Sequence, residues 1–227
     1  MTTDRLFQSK SPLPSSRRDD GAYPLVIIVD DDSSVRESLS DLVSSAGLES
    51  MDFASTRELL EADLPDRPGC LILDVRMPGL SGLDLQHHLA QTGNPKPVIF
   101  LTGHGDIPMT VQAMKAGAID FLTKPVRDQT LLDAVSAGIA IDVARRRDAA
   151  ALRGSIERFG TLTKRERDVL QSVANGRLNK QIAFDLGISE VTVKMHRSNA
   201  MRKMAVRSLG DFLRIWETLP DSMRMRQ

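Results

Sequence analysis

The 227-residue chain has one cysteine, no apolar stretch long enough to cross a bilayer, and no net charge. A single cysteine, Cys70, excludes an internal disulfide framework and points to a reducing compartment. Cys70 opens the apolar run Cys70-Leu71-Ile72-Leu73 and reads as a small core residue. A membrane helix needs about 20 predominantly apolar residues, and no run approaches that length. The N-terminus is polar, with no hydrophobic run after its basic residues, so no secretory signal is legible. These absences predict a cytoplasmic protein with no membrane partner. Apolar content is 41%, enough for an ordinary core, and the length suits two small domains.

Zero net charge hides an asymmetry. Residues 25–142 hold 8 basic and 18 acidic residues, whereas residues 155–227 hold 14 and 8. An acidic half joined to a basic half predicts two tasks, the basic one on nucleic acid.

The chain divides accordingly. Residues 1–24 are rich in Ser, Pro, Arg and Asp with little periodicity, and read as a mobile tail. A β-rich run follows, Leu25–Val29, and similar runs recur near Leu48–Phe53, Leu71–Leu73, Pro97–Leu101 and Ile119–Leu122. Between them lie helical spacings: Val35, Leu39, Leu42, Val43 and Ala46 share one face, as do Val111, Met114 and Ala118. Strands alternating with helices predict an α/β doubly wound domain with a five-stranded parallel sheet, residues 25–142. Residues 128–158 read as helical, with a seam of Leu132, Val135, Ile139 and Val143 fading into Arg145-Arg146-Arg147. Residues 143–160 are therefore expected to form a helical linker. From residue 161 the pattern is purely helical. Thr163-Lys164-Arg165-Glu166 is a capping box. A short helix spans about Lys180–Leu186, Ser189 caps a third, and a fourth begins near Ser208. The expectation is an all-α four-helix domain over residues 161–220.

Asp30 and Asp31 follow the first strand directly, and Asp74 follows the third. In an open parallel sheet, ligands gather outside the C-terminal strand ends. Adjacency of the first and third strands would bring three carboxylates together. Such a cluster repels itself and needs a cation. Hard oxygen ligands on a small site favour Mg²⁺, which keeps several waters and accepts phosphoryl oxygens. Thr102 after the fourth strand and Lys124 after the fifth supply a hydroxyl and an ammonium for those oxygens. Asp32 or Ser33 reads as a helix cap. His104, in a glycine-flanked loop, reads as solvated rather than catalytic.

The runs Val29-Asp30-Asp31-Asp32, Leu73-Asp74-Val75-Arg76-Met77-Pro78-Gly79, Leu101-Thr102-Gly103-His104-Gly105-Asp106, Ala116-Gly117-Ala118 and Leu122-Thr123-Lys124-Pro125 resemble the receiver family, over about residues 25–145. The resemblance implies a flavodoxin-like strand order and phosphorylation of Asp74 by a sensor histidine kinase. It implies Mg²⁺ bound by Asp31, Asp74 and the backbone carbonyl of Arg76, with Asp30 acting mainly through water. Lys124 would contact the phosphoryl group, and the Lys124–Pro125 bond would be cis. Thr102 would swing toward the new charge and Phe121 rotate inward, as a switch. Phe121 stands where many relatives carry tyrosine.

The runs Leu162-Thr163-Lys164-Arg165-Glu166-Arg167-Asp168-Val169-Leu170, Asn179-Lys180-Gln181-Ile182-Ala183 and Ile188-Ser189-Glu190-Val191-Thr192-Val193-Lys194-Met195-His196 resemble the LuxR-type helix-turn-helix domain, over about residues 160–217. Together the two resemblances place the chain near the NarL/FixJ class of two-component response regulators, closest in appearance to the FixJ subgroup. Val193, Ala200 and Met204 face the core by spacing, while Lys194, Met195, Ser198 and Arg202 face away. The resemblance implies base contacts from Lys194, Met195 and Ser198, the last shorter than the basic residue relatives often carry. Lys180, Arg197 and Lys203 read as phosphate contacts, which position rather than specify. Thr192 and Arg202 complete the expected DNA-binding set. The implied partners are a sensor kinase, double-stranded DNA, a second copy of the chain when phosphorylated, and RNA polymerase.

Three rivals are weaker. A haloacid-dehalogenase-like phosphatase wants a second acid two residues after its nucleophile, and Arg76 stands there. A small-molecule-sensing LuxR regulator leaves the acidic strand ends without a purpose. A receiver fold used only as a scaffold has no need of all five site residues. The expectation is a transcription regulator and not an enzyme, its chemistry confined to phosphorylation and dephosphorylation of itself.

Overall fold

The computed structural model describes residues 23–91, 96–103 and 105–224. The chain divides into two compact units, Met1–Asp142 and Val143–Gln227. Residues 1–22 of the expected tail, and His104, lie outside the described residues. Among the described residues no helix is long and apolar enough to cross a membrane.

The first unit alternates strand and helix: β1 Leu25–Val29, α1 Ser33–Ser45, β2 Glu49–Phe53, α2 Thr56–Glu61, β3 Gly69–Leu73, α3 Gly82–Gln91, β4 Val98–Thr102, α4 Ile107–Lys115, β5 Asp120–Thr123 and the start of α5, Asp128–Gly160. All strands pair in parallel, in the order β2-β1-β3-β4-β5. This is the doubly wound, flavodoxin-like order. β1, β3 and β4 are buried along their whole length, hence their near-continuous apolar sequences. Their period of two splits the core. Ile27, Val29, Leu71, Leu73 and Phe100 pack with Leu59, Leu83, Leu85 and Ala113 of α2, α3 and α4. Val26, Ile28, Cys70, Ile72, Ile99 and Leu101 pack with Leu39 and Val43 of α1 and with Leu131, Ala134 and Val135 of α5. Burial pushes the Cys70 thiol up to about 12, so it is a core group and not a thiolate.

The structure shows which way two helix faces point. On α4, Ala113 is buried while Val111 and Met114 are 45% and 44% exposed. On α5 the inward line is Leu131, Ala134, Val135, Gly138 and Asp142, with Val143 exposed. Reading apolar residues alone misplaced it, because Gly138 and Asp142 belong to the buried line. Asp142 is fully buried and accepts the Gly69 amide at 3.0 Å. It thereby ties α5 to the start of β3.

The second unit holds the end of α5, then α6 Lys164–Ala174, α7 Asn179–Leu186, α8 Glu190–Lys203, α9 Leu209–Thr218 and the short α10 Asp221–Arg224. Ser189 caps α8 as expected, and Ser208, near the expected start of the fourth helix, caps α9. The unit is larger than expected at both ends. Phe159, at the end of α5, joins the core of Val169, Leu170, Ile182, Val193, Ala200, Met204 and Phe212. The Arg224 carbonyl in α10 accepts from Gln171 of α6 at 2.8 Å.

The Thr163–Glu166 capping box forms, with the Glu166 carboxylate accepting the Thr163 amide at 2.8 Å. Lys203 of α8 donates to the same carboxylate at 2.7 Å. Burial alone would raise the Glu166 carboxyl, but the bonds from Lys203 and Thr163 outweigh it and hold the group below its ordinary 4.5. A depressed acid favours the folded state above its unfolded value and loses that contribution as pH falls through the folded value.

Two outcomes follow. Asp142→Ala strands a buried amide and should cost about 1–3 kcal/mol, measured by urea unfolding of the first unit. Asp142→Asn keeps an acceptor oxygen and should cost less; equal losses would contradict the role of the Gly69 bond. Glu166→Gln should flatten the loss of thermal stability of the second unit as pH falls from neutral through the carboxylate range. An unchanged pH profile would count against the Lys203–Glu166 pair.

Candidate functional site

β1 lies between β2 and β3, so Asp30 and Asp31 leave the sheet beside Asp74. The Asp74 amide donates to the Val29 carbonyl at 2.9 Å, locking the two strand ends together. One carboxylate oxygen from each of Asp30, Asp31 and Asp74 lies within 4.8 Å of the others. Asp30 is 2% exposed and Asp74 8%, while Asp31 is exposed.

β5 delivers the cation. Lys124 donates its backbone amide to the Thr102 carbonyl at 2.8 Å, extending the β4–β5 pairing past the strand ends. Its Nζ donates to Asp30 Oδ2 at 2.5 Å and stands 3.6 Å from Asp74 Oδ2. The Lys124–Pro125 bond is cis. Burial pushes the Asp30 carboxyl above its ordinary 3.8, against the pull of Lys124 and of the Asp32 amide. Three acids with one ammonium leave an excess of negative charge in a partly buried pocket. An oxygen-rich set of this kind suits a hard divalent cation such as Mg²⁺.

Thr102 is buried at the end of β4. Phe121 is half-buried, its ring 5.9 Å from that of Phe100. Asp32 caps α1, accepting the Ser34 amide at 2.9 Å.

Sequence reading missed three supports. Arg36 of α1 donates to the Asp30 carbonyl at 2.7 Å and to Asp52 at 3.1 Å, holding the acidic turn from behind. The only sequence signal was a lone arginine one turn after an acidic run. Gly82 opens α3 where a Cβ would collide with the Asp74 carbonyl, so glycine lets the helix approach the site. At Gly105 a Cβ would lie 2.7 Å from Phe121 Cε1 and 3.6 Å from Thr102 Cγ2. The Phe121 ring rests in space that a side chain at residue 105 would fill.

The second unit presents α8 with two faces. Val193 and Ala200 are buried, whereas Lys194, Met195, Ser198 and Arg202 are exposed, as is Lys180 on α7. Arg202 donates to its neighbour Asn199 at 3.1 Å. Three expected contacts sit differently. Lys203 is turned inward onto Glu166, where it serves the fold. The Thr192 hydroxyl pairs with that of Ser189 at 2.8 Å within the α8 cap. Arg197 is half-buried on the flank of the helix.

Comparison with known proteins finds a family match in each unit. The family described as "Response regulator receiver domain" matches residues 26–136, and "Bacterial regulatory proteins, luxR family" matches residues 160–215. Nodulation protein W of Bradyrhizobium diazoefficiens is 52% identical over 86% of this chain and 86% of its own length. Response regulator protein TodT of Pseudomonas putida is 48% identical over 96% of both chains. The solved structure of the response regulator StyR is 49% identical, with a TM-score of 0.77 over 86% of this chain and 99% of its own. A receiver domain implies a histidine kinase as partner, and a LuxR-type domain implies binding to DNA. The chain belongs to the NarL/FixJ class of response regulators, transcription regulators that join a receiver domain to a LuxR-type helix-turn-helix domain.

Proposed function

We propose that Asp74 accepts a phosphoryl group from a sensor histidine kinase, and that the phosphorylated chain dimerises and binds specific sites on double-stranded DNA to control transcription. The observation that carries this reading is the convergence of Asp30, Asp31, Asp74 and Lys124 at adjoining strand ends. Asp31, Asp74 and the Arg76 carbonyl would hold Mg²⁺ directly, and Asp30 through water. When bound, the ion neutralises charge on the phosphoryl oxygens and aligns the group for in-line attack.

The protein's own residues do the rest. Asp74 is a weak nucleophile, so alignment and charge neutralisation supply its activation. Its carboxylate oxygen bonds to phosphorus as the kinase's phosphorus–nitrogen bond breaks. Lys124, already 3.6 Å from Asp74, is within reach of an oxygen of the transferred group. The product is an acyl phosphate, which hydrolyses and resets the signal. This is a regulator's cycle on itself and not turnover of a separate substrate.

The aspartyl phosphate replaces the single charge of the carboxylate with the nearly two negative charges of a phosphoryl group. Thr102 would turn toward them, and Phe121 would move inward from its half-buried place. α4 joins their two strands in the chain, and its exposed Ile107, Val111 and Met114 form an apolar line at helical spacing. That line is the surface we assign to dimerisation. In the second unit Lys194, Met195 and Ser198 face the bases, and Lys180, Arg197 and Arg202 the phosphates. Of the expected phosphate contacts, Lys203 has the weakest support, because Glu166 holds it. RNA polymerase would be met from the DNA-bound dimer.

With Mg²⁺ and a small phosphodonor, the wild-type chain should gain one phosphoryl group by mass, sediment as a dimer and bind DNA more tightly. Asp74→Asn should do none of these; a phosphorylated Asp74→Asn chain would place the acceptor elsewhere. Val111→Asp should still take the phosphoryl group but remain monomeric, with specific DNA affinity lower by about tenfold or more. A normal dimer from that variant would move the interface off α4.

A further inference from the structure

The exposed residues of α8 are Glu190, Val191, Lys194, Met195, Ser198 and Arg202. At about 100° of turn per residue, the five from Val191 to Arg202 fall on one line along the helix. Val193 and Ala200, both buried, lie opposite. The sequence reading began this line at Lys194. The structure extends it one turn toward the helix N-terminus, to Val191.

Val191 is 76% exposed and Met195, one turn on, is 52% exposed. Neither belongs to the hydrophobic core of the second unit. Nor does helix propensity call for Val191, because valine is a poorer helix former than the lysine, arginine, glutamine or glutamate that often covers a solvated turn. Val191 and Met195 form an apolar pair on an otherwise polar and basic line. The first turns of a recognition helix are the part that meets base edges in the major groove. Among those edges the thymine C5-methyl is the apolar partner.

We propose that Val191, together with Met195, reads thymine methyl groups, making Val191 a specificity-determining residue of this DNA-binding domain. The inference rests on the DNA-binding reading of α8 given above. Lys194 and Ser198 then take the polar edges beside those thymines. The ligand is a major-groove step carrying thymine opposite the first two turns of α8.

The test uses the full chain with Mg²⁺ and a phosphodonor. A preferred duplex is first selected from a random library. Each thymine is then replaced in turn by deoxyuridine, which removes only the methyl group. At one thymine the wild type should lose about fourfold in affinity, the worth of one buried methyl, while Val191→Ala should bind both duplexes equally. Met195→Ala should lose its sensitivity at a different thymine. Val191→Ala should keep its helix content and the salt dependence of binding, since no phosphate contact is removed. A wild type indifferent to every replacement, or a Val191→Ala chain with the full penalty, overturns the proposal. Selection of no sequence at all would strike the DNA-binding reading itself, and this inference with it.

Discussion

Everything at the first site follows from the crowding of carboxylates at the ends of β1 and β3. Asp30 and Asp74 are nearly buried, Asp31 stands beside them, and like charges so placed repel. The sheet tolerates the arrangement because Lys124 reaches across from β5 to Asp30, with Asp74 just beyond. The Arg36 guanidinium supports the turn from the other side through the Asp30 carbonyl. The resulting pocket sets one fixed cation against three acids. That deficit makes it receptive to a divalent ion and, with the ion, to a phosphoryl group. The charge balance of the pocket is therefore also the physical basis of the switch proposed above.

The second unit solves a different problem. α8 must be held firmly on one side and leave the other bare. Val193, Ala200 and Met204 anchor it in the core, and the Glu166–Lys203 pair fastens its last turn to the capping box that opens α6. A buried carboxylate that satisfies a helix end and an ammonium at once is costly to disturb and fixes geometry well. The exposed line from Val191 to Arg202 is rigid as a result. Rigid presentation matters because base readout depends on side chains arriving at groove edges in register.

The chain passes from one unit to the other within α5, whose residues serve both. Asp142, the last residue of the first unit, is tied to Gly69, while Phe159 packs into the core of the second. The helix is thus more than a spacer. Each of its ends is built into a domain, and the segment with Arg145-Arg146-Arg147 lies between those anchors.

Much of this was legible in sequence. The strand runs are continuous and apolar because their strands are buried on both faces. The five site residues stand out because each follows one of those runs directly. The capping residues Thr163 and Ser189 were readable, and the cap of α1 was narrowed to Asp32 or Ser33, because a cap is a local hydrogen bond. What sequence misjudged was direction. It placed Val111 and Met114 on one face without showing that the face is exposed, and missed Asp142 and Gly138 on the buried line of α5, because spacing shows that residues share a face but not what that face meets. It read Lys203 as a phosphate contact from a basic side chain on a basic helix, and its pairing with Glu166 of another helix shows only in the structure. The sequence alone determined the strand runs, the longer helices of the second unit, the strand-end chemistry and most of the caps, which depend on neighbours a few residues away, and it left α2, α3 and α10 unread. Only the tertiary structure decided which carboxylates converge, which helix faces stay bare and which lysine is already paired, because those depend on residues brought together from distant parts of the chain.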